Sequence, residues 1–188
     1  MTQNLIKGLL IICLFVAISG VADVSAGSQN YAGEPTLKLG GRLPDASLTG
    51  SKGTAVRLTD TVGRVRLISV VPQLNTPVCD EQTHHFSEQN GGLDRMVDIV
   101  TVSTNTADDQ SQFAAKADIR NVTFLSDAPE LAFGRATGLL LPMHRILHRA
   151  VIVADRENII RYFELVPMGQ LPNFDGAFEA ARKLAASH

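Results

Sequence analysis

"SVVPQLNTPVCDEQTHH", residues 69–85, decides the fold and raises the functional question. It continues "VRLISVV", residues 65–71, a nearly unbroken apolar and β-branched run of the kind expected for a strand buried on both faces. The run stops at Pro72, and a polar loop hands the chain to Thr76 and Pro77. Threonine is a good N-cap, and proline fits the next position because its missing N–H would be unpaired there anyway. The spacing predicts a helix from about 77 to 89, ended by "NGG", with Cys79 at its third position. A thiol in the first turn lies among free N–H groups at the positive end of the helix dipole, which favours an anion. The thiolate is the nucleophilic form of cysteine. Asp80 and Glu81 oppose it at short range, so a cation from elsewhere in the chain would decide the balance.

Helical spacing also sets the direction of Cys79. Thr83 and Phe86, at i+4 and i+7, share its face, so the cysteine is expected to be partly buried. His84 and His85 turn away and are expected to be solvated or locally hydrogen-bonded rather than catalytic bases. The plain alternative for Cys79 is a small buried hydrophobe, the common fate of a free cysteine.

Outward from this segment the chain alternates strand and helix. Strands are predicted in "MVDIVTVS" at 96–103 and "VTFLS" at 122–126, with a helix in "DDQSQFAAKA" between them. "DAPELAFGRAT", residues 127–137, carries helix punctuation at both ends, with Gly138 just beyond it. "RAVIVAD" and "IIRYFELV" flank the tight turn "DREN" and predict an antiparallel pair. Phe174, Phe178, Ala181 and Ala185 mark the buried stripe of a terminal helix. Upstream, short extended pieces at 36–39 and 55–58, separated by the turns "GGRLPD" and "GSKG", suggest a hairpin ahead of the main body. The order fits an α/β class, a thioredoxin-like fold with a central mixed sheet, an N-terminal β-hairpin and flanking helices.

Residues 1–26 are expected to be a signal peptide. "MTQNLIK" is short and basic, "GLLIICLFVAI" is an apolar core, and "SGVADVSA" is a small-residue tail with Val24 and Ala26 placed for cleavage before Gly27. A membrane anchor is the competing reading, but the apolar run falls short of the ~20 residues that a spanning helix needs. Residues 27–35 then form a polar leader and 36–188 a single domain, exported to the periplasm or medium. Cleavage removes Cys13 and leaves Cys79 as a lone thiol, which excludes an internal disulfide. The net charge of −2, with scattered basic residues, argues against nucleic acid as a partner.

"PQLNTPVC" has the form P-x-x-x-T-x-x-C, preceded by "VRLISVVP" and followed by "DEQTHHF". Together with "LGGRLPDASL", "NVTFLSD" and "HRAVIVAD", it resembles the peroxiredoxins, specifically the bacterial thiol peroxidase subfamily, over most of residues 35–185. The resemblance implies that Cys79 is the peroxidatic nucleophile, that Thr76 hydrogen-bonds the peroxide, and that Pro72 shapes and shields the pocket. It implies that Arg149 is the distant cation on thiolate and peroxide; by residue type alone, Arg149 reads as a strand-end arginine in solvent. No cofactor is implied; the partners are a small-molecule peroxide and an external thiol reductant, either a low-molecular-weight thiol or a thioredoxin-like protein, in a homodimer. The subfamily usually carries a resolving cysteine after a phenylalanine on the next helix, where this chain has Phe113-Ala114. A sulfenic acid formed on Cys79 would therefore need that external thiol.

Two other readings stand beside this one. "MHRILH" sets His144 and His148 four apart, with Met143 adjacent, a soft donor set that could serve a thioredoxin-fold copper carrier. A redox sensor or inactive relative would keep the fold and oxidise once without turning over. A disulfide oxidoreductase fits less well, since Cys79 lacks a partner at C-x-x-C spacing.

Overall fold

The computed structural model describes residues 34–60 and 63–187, so the predicted signal peptide and nearly all of the polar leader lie outside the described residues. The buried run predicted at 65–71 is strand β3 (Arg66–Val70), every residue of it buried. It stands inside a seven-stranded sheet with β1 (Ser47–Thr49), β2 (Ala55–Arg57), β4 (Asp98–Ser103), β5 (Thr123–Ser126), β8 (Ala150–Ala154) and β9 (Ile160–Leu165). The order is β2-β1-β5-β4-β3-β8-β9. Strands β3, β4 and β5 run parallel, while β8 and β9 and the β1–β2 hairpin pair antiparallel. This is the central mixed sheet expected from the sequence.

Alternation along β3 distributes its side chains between two layers. Ile68 and Val70 enter a core with Leu37, Leu43, Phe133, Leu139 and Leu147. Leu67 enters the opposite one with Phe86, Leu93, Phe178 and Ala181. The second layer is roofed by α1 (Pro77–Glu88), α2 (Ala107–Lys116) and α4 (Phe174–Ala186). The terminal helix buries Ala177, Phe178 and Ala181, close to the predicted stripe. In α1, Cys79, Gln82, Thr83 and Phe86 are buried, an i, i+3, i+4, i+7 face.

Two local expectations are corrected, and one strand pair is new. Residues 36–39 form no strand: the hairpin around "GSKG" is β1 with β2, and Leu37 is instead buried in an irregular segment. That segment is tied down by single bonds, Thr36 N–H to the Thr137 carbonyl and Gly40 N–H to that of Ile160. It crosses Gly138 so closely that a Cβ there would lie 2.8 Å from the Glu34 carbonyl oxygen, and Gly138 has φ +71°. The helix placed over 127–137 begins only at Ala132, as α3 (Ala132–Thr137). Residues before it form a turn in which Leu131 adopts φ 54°. The new pair is β6 (Leu140–Leu141) with β7 (Ile146–Leu147), whose turn holds Met143 and His144.

The late start of α3 has a cause in Asp127. Its two carboxylate oxygens each accept an N–H, from Phe133 and Gly134, at 2.8 Å, so the acid caps the helix from upstream. Burial pushes the Asp127 carboxyl up, and the two N–H groups pull it partly back. Asp127→Ala is expected to destabilise the domain by about 2–3 kcal/mol, the range for buried donors left without an acceptor. Because the folded state holds this proton more tightly than the unfolded chain, the contribution of Asp127 falls as pH rises from the ordinary carboxylate range to its raised folded value, and is flat above it. Denaturant titrations across acidic pH should find that slope in the native protein and lose it in Asp127→Asn.

Candidate active site

The backbone places the site at the C-terminal edge of β3. Val71 and Pro72 end the strand in the buried interior, and the Pro72 carbonyl accepts the Thr104 hydroxyl at 3.3 Å. The Leu74 N–H is held by the Asn105 side chain at 2.8 Å, which fixes the loop between strand and helix. Thr76 occupies the N-cap position with Pro77 first in the helix, as the sequence predicts. Its hydroxyl does not cap the helix; it donates back to the Gln73 carbonyl at 3.1 Å. The N–H of Asp80 is the first taken within the helix, by the Thr76 carbonyl, so those of Val78 and Cys79 have no acceptor inside α1.

Cys79 is the free cysteine among the described residues, and it is 1% exposed, more deeply buried than the helical spacing suggests. The reason is tertiary: Val71 and Leu74 enclose the sulfur, and Phe113 of α2 and Phe124 of β5 pack on that cluster. His84 and His85 turn away as expected. His84 lies 2.7 Å from Glu88, and His85 stacks on Phe174 with ring centroids 3.6 Å apart.

Arg149 does not reach into solvent; it is 3% exposed. Antiparallel pairing of Val70 with Ala150 sets Arg149 beside the end of β3, under the first turn of α1. Its Nη2 donates to Cys79 Sγ at 3.1 Å. Its Nη1 donates to the Val78 carbonyl at 3.5 Å and to Gln82 Oε1. Gln82 is fully buried, and its amide nitrogen donates to Ser69 Oγ at 2.7 Å. Ser69 thus receives the N–H₂ end of the amide and turns the oxygen toward the guanidinium. Sequence reasoning passed over Gln82, although its i+3 spacing from Cys79 puts it on the same helix face.

The structure therefore brings Cys79 and Arg149 into contact, with Thr76 at the mouth of the helix and Pro72 in the buried loop wall. It does not bring "MHRILH" to them. Residues 142–145 are a turn rather than a helix, so His144 and His148 do not share a helical face. His148 is buried with Nδ1 2.9 Å from the Arg149 carbonyl, and burial pushes its imidazole down. Among the described residues, no group of three or more His, Cys, Asp or Glu could hold a metal ion.

A parallel β3–β4–β5 core, antiparallel β8 and β9, and a cysteine at the head of the helix after β3 define a thioredoxin-like redox protein. Residues 38–178 match the family model Redoxin. The thiol peroxidase of Listeria innocua is 38% identical over 147 residues, covering 78% of this chain and 88% of that protein. The thiol peroxidase of Streptococcus pneumoniae is 37% identical over 149 residues, 79% of this chain and 91% of its own. A crystal structure of a peroxiredoxin-like protein from Aquifex aeolicus superposes with a TM-score of 0.74 at 32% identity, covering 80% of this chain and 90% of that one. The chain belongs to the Redoxin family, and within it to the peroxiredoxins of the bacterial thiol peroxidase subfamily.

The buried amide yields a prediction. Gln82→Leu removes an acceptor of the Arg149 guanidinium, and Gln82→Glu sets a carboxylate in competition with the sulfur for the same cation. Oxidation of Cys79 by hydrogen peroxide, followed by stopped flow, should slow in both, and further in Gln82→Glu.

Proposed function

We propose that this protein is a thiol peroxidase that reduces hydrogen peroxide or small organic hydroperoxides through Cys79 alone. The single observation that carries this is the 3.1 Å contact between a buried guanidinium and a buried sulfur at a helix N-terminus. Identity of 37–38% with thiol peroxidases over most of the chain supports the same reaction class.

In the proposed step, the Cys79 thiolate attacks one peroxide oxygen. An S–O bond forms as the O–O bond breaks, sulfur gives up two electrons, and the departing oxygen leaves as alkoxide or hydroxide and takes a proton. Donors aimed at the departing oxygen lower the barrier. Arg149 supplies one, and the N–H groups of Val78 and Cys79 supply others. The hydroxyl proton of Thr76 is held by Gln73, so its oxygen remains to accept the peroxide O–H. Pro72, buried at the end of β3, shields the pocket from water.

The product is a sulfenic acid on Cys79, reduced by an external thiol, because Ala114 stands where subfamily members usually carry the resolving cysteine. Export with removal of residues 1–26 would leave Cys79 as the remaining cysteine, and a homodimer is the proposed assembly. Peroxide loss followed by a ferrous-iron colour assay, alongside mass spectrometry with a sulfenate trap, tests the chemistry. One equivalent of peroxide should yield one trapped sulfenic acid on Cys79, and Cys79→Ser should lose activity to the buffer rate. A Cys79→Ser protein that consumes peroxide as fast as the native one overturns the assignment.

A further inference from the structure

The described part of the molecule contains a cavity of about 830 Å³ between the N-terminal half of α1 and the outer face of α2. That volume lies in the range of small-molecule sites, about 300–1,000 Å³. Thr76, placed above on the peroxide, lines its rim, so the cavity opens onto the proposed catalytic loop. Its inner wall includes Leu74 and Phe113, and both also belong to the packing around Cys79. The sulfur does not line the cavity; it lies one layer of side chains behind it. Leu74 is fully buried, whereas Phe113 is half-buried, with its ring edge-on to Phe124 at 6.0 Å between centroids.

The polar lining is divided by charge. On α2, Lys116 is exposed and makes no ion pair with any described residue. On α1, Asp80 lines the other side, with the His84 Nε2 3.7 Å from its carboxylate. Asp109 is a second carboxylate, already accepting the Thr106 N–H at 3.3 Å in the α2 capping box. A ligand with one carboxylate and one ammonium group can meet Lys116 and Asp80 together, and a purely anionic or cationic one leaves one of them opposed.

Resting on the one-cysteine reading above, we propose that this cavity binds the reductant, and that the reductant is a small zwitterionic thiol, of the cysteine or cysteinyl-peptide class. The bound thiolate reaches Cys79 as Phe113 swings aside. It attacks the sulfenic sulfur, an S–S bond forms, and hydroxide leaves with a proton as water. A second molecule of the same thiol attacks the mixed disulfide on the ligand's sulfur. It releases the Cys79 thiolate and carries away the symmetrical disulfide, returning the two electrons that peroxide removed.

The test uses cysteine as probe and neutral 2-mercaptoethanol as comparator, in stopped-flow reduction of the native protein and of Lys116→Glu, each first oxidised with one equivalent of peroxide. Reversing one charge at roughly 6 Å in water corresponds to about a tenfold change. Lys116→Glu should therefore slow cysteine about tenfold relative to 2-mercaptoethanol, and Lys116→Arg should restore the native ratio. Phe113→Ala should speed reduction by both thiols. An unchanged ratio in Lys116→Glu, an unchanged rate in Phe113→Ala, or a native sulfenate that only a protein dithiol reduces would overturn the proposal. Failure of the native protein to form a sulfenate would instead overturn the peroxidase reading on which it rests.

Discussion

The structure turns on the contact between Arg149 and Cys79, two groups that a globular protein would not ordinarily bury together. A guanidinium that is 3% exposed has lost most of its water and must be compensated. Around it stand the Val78 carbonyl, the Gln82 amide oxygen and the Cys79 sulfur, and its Nε has no partner among the described residues. Two neutral acceptors alone compensate a buried cation poorly, so the sulfur is the group on which its compensation turns. The same logic applies to the sulfur, which the first-turn N–H groups of α1 would stabilise only in part.

That contact is a product of topology more than of local sequence. Residues 70 and 149 lie far apart along the chain, and the antiparallel pairing of β3 with β8 brings Arg149 beneath α1. A slip of one residue in that register would send the arginine to the opposite face of the sheet, among the apolar side chains of the other core. The buried row of Ser69, Gln82 and Arg149 gives the guanidinium one orientation, so the donor is in place before any substrate arrives. Deep packing of Cys79 by Leu74 and Phe113 has the opposite consequence for the rest of the cycle. In the proposed cycle, a thiol reductant would have to move part of that wall to reach the sulfur.

Much of this was legible in the sequence where one periodicity or one capping rule decides the outcome. The β-branched run before Pro72 gave β3, the Thr76-Pro77 pair gave the start of α1, and i+4 and i+7 spacing gave its buried face. The turn "DREN" gave the β8–β9 hairpin for the same reason. Misreadings fell where tertiary contacts override local preference. "DAPELAFGRAT" has helical ends, but the carboxylate of Asp127 is used on Phe133 and Gly134, and the segment turns before it coils. Residues 36–39 alternate polar and apolar like a strand, yet the segment is irregular and turns at Leu39, and Leu37 is buried without a strand partner. Arg149 read as exposed by residue type and reached the sulfur only through resemblance, since a contact across 70 residues leaves no trace in spacing. Gln82 was open to the same i, i+3 rule that placed its neighbours.

The most direct test of this account is the contribution of one guanidinium to the reactivity of one sulfur. Stopped-flow oxidation of the reduced native protein by hydrogen peroxide should slow about 100-fold in Arg149→Met, the scale of losing one oriented donor to the departing oxygen. An oxidation rate unchanged by that substitution would contradict the contact from which the chemistry follows.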